Sequence, residues 1–228
     1  MQTASERQWA GPFGIKLVVA NMSGLSAETI EKRANFVREK LNIDHVFAFD
    51  MYCALERLQQ KAKSFSFRCA LDDELGNNEA TMDDETGTLV ARGSVLDDVK
   101  DGQTRARFTI AHELGHFFLG HEGQRRRNPN KGVYGNFKER AEESEANIFA
   151  SYFLVPTKLA WDAKNPEEIS DRFQVSLQAA EIAFERVQEA RRKATGQKRS
   201  LPDVVVDFLK EAQKKGYRVK SDISDLDQ

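Results

Sequence analysis

Ala111-His112-Glu113-Leu114-Gly115-His116 is the stretch on which the reading of this chain turns. The chain has four histidines, and three of them fall between positions 112 and 121. The surrounding residues, from about Gln103 to Leu119, read as one helix that Gly120 is suited to close. Residues four apart on a helix share a face, about 6 Å apart along the axis, so His112 and His116 can converge on a single metal ion. Imidazole nitrogens bind zinc at about 2.0–2.1 Å. Glu113 is rotated by about 100° and borders the same face, where it can reach a water on the metal rather than the metal itself. Gly115 leaves room for a neighbouring backbone. Phe108, Ile110, Leu114, Phe117 and Phe118 supply apolar surface to anchor the helix. Two chance histidines on an ordinary amphipathic helix are the bland alternative. The spacing and the intervening glutamate favour one zinc ion with Glu113 as catalytic base.

A catalytic zinc takes three protein ligands and keeps a fourth position open. The other imidazoles are His45, expected to pack between helices, and His121, expected to meet carbonyls at the helix end. The third ligand is therefore expected to be a carboxylate. A second helix, from about Lys138 to Leu154, offers Glu139, Glu142, Glu143 and Glu145. Zincins that use a glutamate carry it on a following helix, with a polar residue four positions later supporting a zinc histidine. Glu143 and Asn147 resemble that pattern, and the small neighbours Ala146 and Ala150 would let two helices approach. Glu143 is the choice, and Glu142 is its competitor.

Two linked motifs then make a family resemblance specific. Arg107 through His116, followed by Leu119-Gly120-His121, resembles the metal-binding helix of the ImmA/IrrE family of metallopeptidases. Glu143-x-x-Ala146-Asn147-x-Phe149-Ala150 and Leu154-Val155-Pro156 resemble its second signature, and Phe173-Gln174-Val175-Ser176 a weaker third. The similarity spans roughly 26–192 and is strongest over 105–156. It implies an α+β fold: a compact zincin-like domain with a small twisted sheet, followed by a helical region. It also implies regulated cleavage of repressor proteins that bear helix-turn-helix domains, as in stress responses and transcription regulation.

The rest of the sequence sets bounds. Hydrophobic residues make up 40% of the chain and charged residues 31%, as in a soluble globular protein rather than a disordered one. Lys and Arg total 34 against 36 Asp and Glu, a net charge of -2, so no global field draws in nucleic acid. Arg125, Arg126, Arg127 and Lys131 form a local basic loop, read as solvated surface. Cys53 and Cys69 lie in no CxxC pair and read as reduced, half-buried residues. With no secretory signal and no long apolar run, a cytoplasmic protein without a membrane span is the default.

The expected organisation is an N-terminal extension (1–25), a metallopeptidase domain (26–156), a helix-turn-helix-like pair (157–195), and a last helix with its tail (196–228). Residues 65–71 and 88–95 read as strands, with a short strand near Ala80–Met82. The segment Thr88 to Val95 is the expected sheet edge for an extended substrate. Tyr134, His121 and Arg107 are oxyanion-stabilising candidates by residue type.

Three functions compete: a narrow-specificity zinc endopeptidase, a zinc-fold module that sequesters a transcriptional regulator without cutting it, and a DNA-binding regulator. Glu113 argues against the second, because a purely structural site has no use for a base. The net charge argues against the third.

Overall fold

The computed structural model describes residues 8–10, 16–18, 24–71, 73–121, 133–197 and 203–217. Ser26 opens the first helix, α1 (Ala27–Lys40), by accepting the Thr29 N–H on its side chain. Its stripe of Ile30, Ala34 and Val37, continued by Leu41, is fully buried, as the 3.6-residue period requires. Asp50 caps α2 (Met51–Lys61) in the same way through the Cys53 N–H. Before them, β1 (Gln8–Ala10) and β2 (Lys16–Val18) pair antiparallel as a separate ribbon.

The main sheet has three strands, β3 (Ser66–Cys69), β4 (Ala80–Asp83) and β5 (Thr88–Ala91), in the order β3-β5-β4. β5 runs parallel to β3 and antiparallel to β4, so the strand expected at the edge is the central one. The β4–β5 turn closes on Gly87, which has a φ of +66° and where a Cβ would stand only 1.9 Å from Ser64 O. That strand also ends earlier than its sequence suggests. Val95 belongs to a helix, α3 (Gly93–Lys100), which buries Val95, Leu96 and Val99. Two β-branched residues in an eight-residue segment hide the helical period behind strand propensity.

α4 (Thr104–Leu119) ends at Gly120 in the left-handed conformation. α5 (Val133–Leu154) begins five residues before the expected Lys138. Residues 157–162 form turns. α6 (Pro166–Phe173) starts from the Asn165 cap with proline in its first turn, and α7 (Leu177–Thr195) starts from Ser176. α8 (Asp203–Lys214) follows, with Val204 and Phe208 exposed. No helix among the described residues is long and apolar enough to cross a membrane. The basic stretch Arg125–Lys131 lies outside the described residues.

One hydrophobic core joins these elements, from Ile30 and Leu55 through Leu89, Ile110 and Phe149 to Phe173 and Val187. Two arginines are buried in it. Arg38 donates to the carbonyls of Phe153, Ile43 and Val46, and Arg107 to those of Phe173, Gln174 and Phe49. Both guanidiniums lie over the ring of Phe49. Burial lowers the Arg38 pKa to about 10, which still leaves it charged at neutral pH. These arginines do for irregular loops what a ladder does for a strand: they satisfy buried carbonyls.

Gly87→Ala would force a Cβ into Ser64 O as well as a strained φ. It is expected to lower stability by more than about 1–3 kcal/mol, the usual cost of strain alone, read as a lower denaturant midpoint.

Candidate metal centre

Helix geometry brings the sequence-predicted residues to one point. His112 and His116 sit on the face of α4 that meets α5, and Glu143 sits on the α5 face opposite. Nε2 of His116 lies 3.1 Å from Nε2 of His112. Glu143 Oε2 is 3.2 Å from His112 Nε2, and its Oε1 is 3.6 Å from His116 Nε2. Ligands on a tetrahedral ion with bonds of about 2.05 Å stand roughly 3.3 Å apart, so this spacing suits zinc. Among the described residues these are the His, Cys, Asp and Glu side chains that form such a group, their donor atoms all within 4.8 Å. Two imidazoles and a carboxylate also match zinc in chemical type. Glu142 is not in the group; it is buried and faces Lys138 at 3.7 Å.

The approach of the helices has a specific cause. A Cβ on Gly115 would stand 3.0 Å from both Cα and O of Ala146 and 3.3 Å from its Cβ. The expected close pass of small residues therefore occurs at the level of the site.

The electrostatics follow from this packing. Burial opposes protonation of His112, but the hydrogen bond it donates to Glu143 and the charges of Glu113 and Glu143 outweigh it, and the pKa is raised. A divalent cation would meet the same electrostatic demand as that proton. Glu113 is not a member of the ligand group. Burial raises its carboxyl pKa, against the lowering pull of His116, His112 and the Met82 N–H, which donates to it. Asn147 Oδ1 lies 3.0 Å from His112 Nδ1, where it can hold the ring from behind.

Other candidates fall elsewhere. Arg107 is buried among carbonyls and does not reach the cleft. The Tyr134 side chain lies outside the described residues. His45 is exposed beside Asp44, not packed between helices, because the α1–α2 connection turns it outward. Both cysteines are free and exposed rather than half-buried. His121 does not settle on helix-end carbonyls; its Nδ1 meets His116 Nδ1 at 3.0 Å and its Nε2 meets Glu145 Oε2 at 3.0 Å. Burial, then the His116 charge, lowers its pKa to about 3, so the ring is neutral. The sequence signal for this was the five-residue step from His116 past a glycine, which brings the two rings together.

Comparison with known proteins agrees with this architecture. Residues 79–185 match the family model described as "Peptidase_M78: IrrE N-terminal-like domain". The match runs from β4 into the first half of α7 and contains both helices of the candidate centre. No curated protein sequence matches the chain. A solved structure described as a Mycobacterium tuberculosis transcriptional regulator is similar to it, at 15% identity and a TM-score of 0.45. That similarity covers 67% of this chain and 45% of the other, so the chain spans less than half of that protein's length.

Gly115→Ala is expected to push α4 from α5 and widen the separation of Glu143 from the histidines. Zinc affinity should fall, and stability should drop by about 1–3 kcal/mol as in other overpacked contacts; chelator competition and chemical denaturation measure the two effects.

Proposed function

We propose that this chain is a zinc-dependent endopeptidase of narrow specificity that cleaves a regulator protein. The observation that carries this reading is the convergence of His112, His116 and Glu143 at zinc-like spacing beside the enclosed carboxylate of Glu113. The match of residues 79–185 to the IrrE N-terminal-like family model supports it.

In this reading His112, His116 and Glu143 hold one zinc ion, and Asn147 orients His112. Bound zinc supplies Lewis acidity, polarising the scissile carbonyl and acidifying water. Glu113 takes the proton from the attacking water and passes it to the leaving amine. A carboxyl whose pKa is raised by burial suits that double duty, because it must hold the proton before releasing it. The Met82 N–H fixes the carboxylate in place and brings β4 beside the base. Among the described residues no strand pairs with the outer side of β4. That edge, rather than the central β5, is where an extended substrate would add by backbone hydrogen bonds.

The substrate proposed is a repressor with a helix-turn-helix domain, by family resemblance, in the cytoplasm. The catalytic unit proposed is 26–156, with 157–195 as a helical pair packed behind it. Sequestration without cleavage is the second reading, and the placement of Glu113 beside the ligand group weighs against it.

The purified protein should contain one zinc per chain, and stripping it with a chelator should lower Tm reversibly. Glu113→Gln should keep the zinc and lose about 10²–10⁴ in peptide hydrolysis, while His116→Ala should lose both. Cleavage of a repressor encoded next to this chain, on co-expression, is the readout. Full activity in Glu113→Gln would discard the assigned base.

A further inference from the structure

Behind His116 runs a line of polar groups that the cleavage chemistry does not use. Nε2 of His116 faces His112 and Glu143, so its Nδ1 points away from the centre, toward Nδ1 of His121 at 3.0 Å. Nε2 of His121 reaches Glu145 Oε2 at 3.0 Å, and Glu145 Oε1 accepts the Leu25 N–H at 2.7 Å. The side chains of His121 and Glu145 are only 5% and 10% exposed. Four separate pieces of chain supply the line: α4, the residue after its left-handed cap, α5, and the segment entering α1. Polar groups so enclosed persist only when paired.

The chain of contacts has one direction. A ligating nitrogen carries no proton, so with Nε2 of His116 on the metal the proton sits on Nδ1, a donor. Nδ1 of His121 must then accept, which places the His121 proton on Nε2. That proton is donated to Glu145, whose other oxygen takes Leu25 N–H. With Nδ1 of His116 as the donor, this is the one assignment in which every contact is a hydrogen bond.

We propose that His121 and Glu145 are positioning residues that form a two-link relay, fixing the tautomer and ring angle of His116 for metal binding. The proposal rests on the reading of His112, His116 and Glu143 as the metal centre. The two histidines are supported unequally. His112 leans on the neutral amide of Asn147, whereas His116 leans on a carboxylate through a neutral imidazole. A carboxylate set directly on a zinc histidine raises its basicity and puts negative charge close to the ion. The interposed ring keeps the orientation and moves that charge one imidazole further away, preserving the Lewis acidity that hydrolysis needs.

The test uses the full chain in three forms: wild type, His121→Phe and the near-isosteric Glu145→Gln. Zinc dissociation constants are measured by competition with a chromophoric chelator, melting is followed with and without zinc, and side-chain nitrogen NMR reads the histidine tautomers. Both variants should bind zinc about 10–100-fold more weakly and show a smaller zinc-induced rise in Tm. Zinc-loaded wild type should carry its protons on Nδ1 of His116 and Nε2 of His121, and Glu145→Gln should erode the His121 preference. If His121→Phe does not fold, Glu145→Gln decides alone. Unchanged zinc affinity in Glu145→Gln, a lowered Tm with the full zinc response, or His121 protonated on Nδ1 overturns the relay and leaves the metal centre standing. Wild type that takes up no zinc overturns the metallopeptidase reading, and the relay with it.

Discussion

The crossing of α4 and α5 at Gly115 and Ala146 is the constraint on which the rest depends. Gly115 lies between the two histidines in sequence, and Ala146 lies between Glu143 and Asn147. A close pass of the two helices, too tight for a Cβ at Gly115, thus lies at the level of the donor set. Residues on two helices can share one ion only if the axes come close, and a single extra methyl at either position would hold them off. The same crossing brings Glu145 to His121. Behind it, stacked rings of Phe118, Phe149 and Phe153 fill the interface and resist any sliding of one helix on the other.

The sheet contributes position rather than bulk. β5 is paired on both sides and buried over most of its length, so it acts as a spine. The outer strand, β4, lies against α4 and lends Met82 N–H to Glu113. The Glu113 carboxylate is therefore held by a backbone group, which has fewer ways to move than a side chain. On the opposite edge, the Gln59 side chain accepts the Phe67 N–H and partly closes β3 to further pairing.

What could be read from the sequence was whatever depends on short-range periodicity. His112, Glu113, His116 and the Glu143–Asn147 pair follow from helical spacing. The α+β class, with its small sheet and following helices, was legible from those elements together with the family resemblance. What could not be read depends on tertiary neighbours. The order of strands is not written in any one strand, so β5 passed for an edge. Val95 and Val99 carry strand propensity, and only burial against the core turns their segment into α3. His121 sits past a helix end, where local rules assign it to carbonyls; its partner Glu145 is 24 residues away. Arg107 looked like a free cation because sequence does not reveal that three carbonyls surround it.

That guanidinium has a consequence for how the chain can be cut. Two of its acceptors, Phe173 O and Gln174 O, lie at the end of α6, and Phe173 itself is part of the common core. Shortening the chain after residue 156 would strip a buried cation of those acceptors at a cost of about 3–5 kcal/mol, on the scale of removing one partner from a buried charge pair. Such a loss can consume most of a domain's margin, since whole domains are stable by only about 5–15 kcal/mol. The helices beyond α4 and α5 are thus a structural tenant that cannot be evicted: a minimal version of this protein has to keep at least the turn at Phe173–Gln174.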